Sequence, residues 1–135
     1  MNRTYQRGFT LTEVMVASLI LGLFMVGCYK MVTGALWMNQ QARDHYVAVN
    51  LADTRLERAR NLQYASYGSL AETQLVMAAD GTPDVSGPFR RSTLVNTNYG
   101  TILTEFVVQV DIRNHQTGRF DGANETLATV LPSKP

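Results

Sequence analysis

The sequence predicts an α+β fold: a long N-terminal α-helix, hydrophobic in its first half and amphipathic in its second, packed on a small antiparallel β-sheet. Three observations predict it. An apolar run covers residues 9–29. A proline-free stretch with apolar residues at spacings of three and four follows, over about residues 30–62. The remaining residues alternate in hydropathy and are cut by turn clusters.

The apolar run of 21 residues spans roughly 31 Å as a helix, close to a hydrocarbon core of about 30 Å. Gly22, Gly27 and Gly34 punctuate it and its continuation as points of possible bending. In the second half, Ala42, His45, Val49, Ala52, Leu56 and Ala59 trace one narrow helical face. Arg43, Asp44, Asp53, Arg55, Glu57 and Arg58 mostly occupy the other sides. The change from greasy to amphipathic falls near Lys30, the first charge after the run.

Strands are expected at residues 89–96, 102–113 and 125–131, within a sheet covering about 70–131. In the middle one, Phe106, Val108, Val110 and Ile112 alternate with Glu105, Val107, Gln109 and Asp111. Turns are expected at 80–84, 86–88, 114–118 and 122–124, with Pro132 halting the last strand. The sheet's apolar face needs a cover, and the amphipathic half of the helix supplies it. The predicted organisation is a basic leader at 1–8, a membrane helix segment at 9–30, and a soluble domain at 31–135 whose helix runs over 31–62.

The 135 residues carry a formal net charge of +1, so bulk attraction to nucleic acid is not expected. Arg3 and Arg7 precede the apolar run; without them 12 − 2 = 10 Lys/Arg face 11 Asp/Glu. Arg55, Arg58, Arg60, Arg90 and Arg91 read as a solvated face rather than a nucleic-acid site. The one cysteine, Cys28, excludes an intramolecular disulfide. His45 reads as a packing or rim residue, and His115 as a solvated turn residue. Neither accompanies a nucleophile at catalytic spacing, and no phosphate-binding glycine loop or zinc spacing is present. The chain is not expected to be an enzyme or to need a cofactor.

The stretch Arg7-Gly8-Phe9-Thr10-Leu11-Thr12-Glu13-Val14 carries the most information. It sets a carboxylate inside a segment otherwise suited to a membrane, and intramembrane ionisable residues have partners and functions. A basic leader (Arg3, Arg7) ending in Gly8, then Phe9, then a hydrophobic helix with Glu13 as its fifth residue resembles the precursors of type IV pilins and type II secretion pseudopilins. That resemblance implies a pilin-like fold and cleavage between Gly8 and Phe9 by a membrane prepilin peptidase. It implies N-methylation of Phe9 and a charge pair between Glu13 and the Phe9 terminus of a neighbouring subunit. The partners it implies are other pilin or pseudopilin subunits, the peptidase, an inner-membrane assembly platform, and membrane lipid before assembly. It places the chain in the bacterial inner membrane as a single-pass protein with an extracytoplasmic C-terminal domain. Some members bind calcium in C-terminal loops, and Asp121, Asn124 and Glu125 offer hard oxygen ligands here. The alternative for those residues is turn geometry.

Residues 50–57 and the closing stretch 126–131 look like minor pilins of the V type and minor pseudopilins of the I type. Lys30 stands where major pilins often place a proline, no cysteine pair closes a C-terminal loop, and Thr12 replaces a large apolar residue. The first two departures favour a minor subunit that primes assembly or caps the tip. Two rivals remain: a plain signal anchor, and a lipoprotein precursor using the lipobox-like residues 25–28 that end in Cys28.

Overall fold

The computed structural model describes residues 8–97, 99–100 and 102–132; Arg3 and Arg7 of the leader lie outside the described residues. One helix, α1 (Leu11–Arg60), is followed by a short 3-10 segment (Tyr64–Leu70) and four strands. The strands are β1 (Glu72–Met77), β2 (Phe89–Asn96), β3 (Leu103–Ile112) and β4 (Asn124–Pro132). They form one antiparallel sheet in the order β1-β2-β3-β4. The chain divides into two compact units, one ending at Gln40 and the other beginning at Gln41.

In the first unit α1 is exposed along nearly its whole circumference. It contains an 18-residue window of mean hydropathy 2.1, none of it buried. By length and composition this is a helix able to cross a membrane once.

In the second unit α1 supplies Ala48, Leu51, Ala52, Leu56 and Ala59 to the core. They meet Phe106, Val108, Val110 and Ile112 of β3, with Phe89, Met77, Tyr67 and Leu70 around them. The Tyr67 and Phe106 rings pack edge to face at 4.9 Å. The expected alternation of β3 holds: residues 104, 106, 108, 110 and 112 are buried and those between them are not. Asn61 closes the helix, its side-chain amide donating to the Glu57 carbonyl at 3.0 Å.

The buried helical face differs from the expected stripe. Ala52, Leu56 and Ala59 lie on it, but Ala42 is exposed and Val49 is 37% exposed. From Ala52 the face turns back by four residues to Ala48, not by three to Val49. A 3.6-residue period permits either step; the small side chain at Ala48 lets the backbone come nearer the sheet than a valine would. Arg55, expected on the outer sides, is also buried. Its guanidinium has partners that lie far away in sequence.

β2 matches its expected range, and β3 and β4 match theirs to within one residue at most ends. Pro132 does not stop the last strand but forms its final residue, opposite Leu103. The Ile112 amide donates to the Ala123 carbonyl at 2.9 Å, so the backbone groups of alternate residues 124 to 132 point away from β3. Proline's missing N–H therefore falls at the free edge, where no ladder bond is lost. β1 lacks a clean alternation because it is bulged. Its register shifts between Glu72 and Leu75, and Gln74 has φ 53°.

The turn between β1 and β2 is held by local hydrogen bonds. Asp80 accepts from Thr82 and Asp84 accepts from Ser86, each through backbone and hydroxyl donors. These bonds, hydroxyl donors first, hold both carboxyls below the ordinary aspartate range. Gly87 passes so close to β1 that a Cβ would lie 2.0 Å from the Met77 carbonyl oxygen. Gly87→Ala is expected to destabilise the second unit by on the order of 1–3 kcal/mol, as overpacking does. Urea denaturation of the two proteins in detergent checks this; an unchanged midpoint would contradict the close approach.

Candidate functional site at the helix N-terminus

The residues singled out by sequence, Gly8, Phe9 and Glu13, lie where α1 begins. Phe9 and Thr10 are non-helical, and the helix starts at Leu11. Thr10 caps it. The Glu13 amide reaches the Thr10 carbonyl at 3.1 Å and the Thr10 hydroxyl at 3.3 Å, and the Val14 amide donates to the same carbonyl at 3.2 Å. Thr10 and Thr12 hydroxyls lie 3.1 Å apart.

Thr10-Leu11-Thr12-Glu13 has the Thr-x-x-Glu spacing of a capping box, of which the Thr10 half is formed by its hydroxyl accepting from the Glu13 amide. Sequence reasoning missed this role for Thr10, although the spacing was there to be read. The position of Glu13 gives it a local task besides any intermolecular one. A carboxylate in the first turn faces the positive end of the helix dipole. The Thr10 cap also gives the Glu13 amide a partner that a helix start otherwise leaves wanting.

Phe9 is 82% exposed. Glu13 borders two shallow grooves, one shared with Phe9, Ala17 and Leu21 and the other with Thr10, Val16 and Ile20. Among the described residues no Lys, Arg or His forms an ion pair with Glu13. Its charge is open to a cation brought by another molecule. Further along, the Ser18 hydroxyl donates to the Val14 carbonyl at 2.7 Å. Thr33 donates to the Tyr29 and Lys30 carbonyls, both at 3.0 Å. These hydroxyls need no outside partner. Cys28 is an exposed free thiol on the same helix.

The second unit uses the other singled-out residues structurally. His45 Nδ1 meets Glu125 Oε1 at 2.5 Å, and His115 Nε2 meets Asp44 Oδ2 at 2.8 Å. Adjacent helix residues are therefore fastened to β4 and to the turn before it. His115 is tied down rather than merely solvated. Of the three possible calcium ligands, Asp121 accepts from Thr117 at 3.0 Å and Glu125 faces His45. Asn124 and Glu125, being successive strand residues, point to opposite faces of β4. Among the described residues no group of three or more His, Cys, Asp or Glu side chains converges on a metal position.

The arginines do not form an open basic face. Arg55 and Arg91 share Glu72 in the interior. Arg90 forks onto Asp111 at 2.7 and 3.0 Å and lies over the Phe120 ring, and Arg60 pairs with Glu57.

No curated protein and no solved structure matches the chain. The match that is found covers the leader, the Gly8-Phe9 junction, Glu13 and the membrane-length part of α1. Residues 3–29 carry the prokaryotic N-terminal methylation motif, the signature of type IV pilins and pseudopilins, on a chain whose long helix and four-stranded antiparallel sheet have a pilin-like arrangement.

Proposed function

We propose that the protein is a minor pilin or pseudopilin, cut between Gly8 and Phe9, methylated on Phe9 and assembled through α1 into a filament's priming or tip complex. The N-terminal methylation motif at residues 3–29 carries this reading. The geometry supports it: Phe9 is exposed just before the helix, and Glu13 has an open carboxylate one turn further on. Hydrolysis of the Gly8–Phe9 peptide consumes one water and leaves a carboxylate on Gly8 and an ammonium on Phe9. That ammonium is a cation of the kind with which Glu13 forms no ion pair among the described residues. At about 4 Å the two charges attract by roughly 4 kcal/mol at an effective dielectric near 20, which offsets part of their desolvation. The subunit would be held before assembly as a single-pass inner-membrane protein. Its partners would be sister subunits, the peptidase and the assembly platform. Lys30 and the absence of a second cysteine favour a minor over a major subunit.

Mass spectrometry of the protein recovered from membranes tests the processing step. A mature chain beginning at N-methylated Phe9 is expected, and Gly8→Leu is expected to leave the leader attached. A lipidated start at Cys28, or an intact Met1 in cells with active peptidase, would sink the proposal.

A further inference from the structure

Two membrane registers compete for α1. If residues 9–29 fill the hydrocarbon, the non-helical backbone of Phe9 and Thr10 and the charge of Glu13 lie inside it. Lipid-exposed irregular backbone is not tolerated there, and a helix start leaves amide donors that need water or headgroups. The same register leaves Met31, Val32, Leu36, Trp37 and Met38 in water, although all are exposed apolar side chains. Trp37, 51% exposed, would then stand eight residues beyond Tyr29, about 12 Å outside the hydrocarbon. The headgroup layer is only about 5–7 Å deep on each side.

Moving the helix by four to five residues, about 6–7.5 Å, removes each conflict. Residues 14–33 then fill a core of about 30 Å. The Thr10 cap, Thr12 and Glu13 sit among headgroups, where the helix start and the carboxylate are hydrated. Lys30 lies only three residues inside the opposite boundary, and its flexible stem can carry the ammonium out to the headgroups. Trp37 falls four residues past Thr33, about 6 Å, within the layer where tryptophan is enriched.

We propose that the unassembled subunit rests in the bilayer in this second register, with Glu13 at one interface and Trp37 anchored at the other through the exposed apolar surface of residues 31–38. This inference rests on the membrane-held reading above. The partner is phospholipid, and the contact extends past Lys30.

Trp37 is the only tryptophan in the chain, so its emission reports one depth. The full chain is reconstituted, without other proteins, in vesicles of phosphatidylethanolamine and phosphatidylglycerol. Spin-labelled lipid is added with the label near the top of the acyl chain or at the bilayer centre. The expected result is strong quenching by the shallow label, weaker quenching by the deep one, and protection from aqueous iodide. Glu13→Leu, which lets residues 9–13 enter the hydrocarbon, is expected to move Trp37 outward: shallow quenching is lost and iodide quenching gained. Wild-type Trp37 fully open to iodide and untouched by either lipid label overturns the proposed register while leaving the membrane anchor intact. Unchanged quenching in Glu13→Leu overturns the part assigned to Glu13. A chain that fails to float with the vesicles overturns the anchored reading itself.

Discussion

Glu72→Gln is expected to destabilise the second unit by about 3 kcal/mol, near the lower end of the cost of breaking a buried ion pair. Glu72 is shared between two guanidiniums: Arg55 Nη2 lies 2.5 Å from one carboxylate oxygen and Arg91 Nε 3.0 Å from the other. Arg55 also donates to the Leu70 carbonyl at 2.9 Å, which ties α1 to the end of the 3-10 segment. The Arg55 and Arg91 side chains are 8% and 10% exposed, and Glu72 is 20% exposed. Burial pulls the Arg55 pKa below its ordinary value and the Glu72 charge pulls it back. Without that charge, two cations face each other in the interior. The partial exposure of Glu72 is why the lower end of the range applies.

Glu57→Gln is the matched control. Its pair with Arg60 is about half exposed on both sides, and such pairs contribute about 0–1 kcal/mol. Urea denaturation in detergent, followed by far-ultraviolet circular dichroism, separates the two. Equal midpoints for Glu72→Gln and wild type would show that the interior arginines do not depend on that carboxylate.

Glu13→Gln is expected to leave the Gly8–Phe9 bond cleavable and to reduce recovery in sheared filaments roughly tenfold, the equivalent of about 1.4 kcal/mol. That is the part of the attraction of about 4 kcal/mol that survives desolvation of both charges. The glutamine variant is the informative one. The Thr10 cap is bonded through the backbone amides of Glu13 and Val14, and glutamine nearly matches glutamate in shape, so the start of α1 keeps its hydrogen bonds and only the charge is lost. Glu13→Ala removes the charge and the bulk of the side chain, and a larger defect there would measure what the side chain contributes besides its charge. Immunogold labelling of wild-type filaments is expected at ends rather than along their length. Normal recovery of Glu13→Gln in filaments would remove the charge-pairing mechanism.

The N-terminal helix of membrane-crossing length was legible from sequence because its signals are local. Hydropathy over residues 9–29, a carboxylate at Glu13 and a Gly8-Phe9 junction need no tertiary partner to be recognised. β2, β3 and β4 were legible for a similar reason: each is regular enough for its period of two to survive. β1 was not, because the bulge at Gln74 breaks that period. The capping role of Thr10 was present in the spacing of residues 10–13, where a Thr precedes Glu13 by three.

The long helix, its membrane-length apolar half and the methylation motif were determined by the sequence itself, since they depend on composition and spacing along one segment. Only the tertiary structure decided which side of the second half is buried. A stripe with spacings of three and four leaves the phase of the face open by one residue, and packing into the common core settled it at Ala48 rather than Val49. Only the tertiary structure drew Arg55 inside, because the groups that make its burial tolerable, Leu70 and Glu72, stand 15 and 17 residues away along the chain. His45 and His115 acquired their roles in the same way, from carboxylates 80 and 71 residues distant. A charge's position in a sequence says that it needs a partner; the fold says which one it gets.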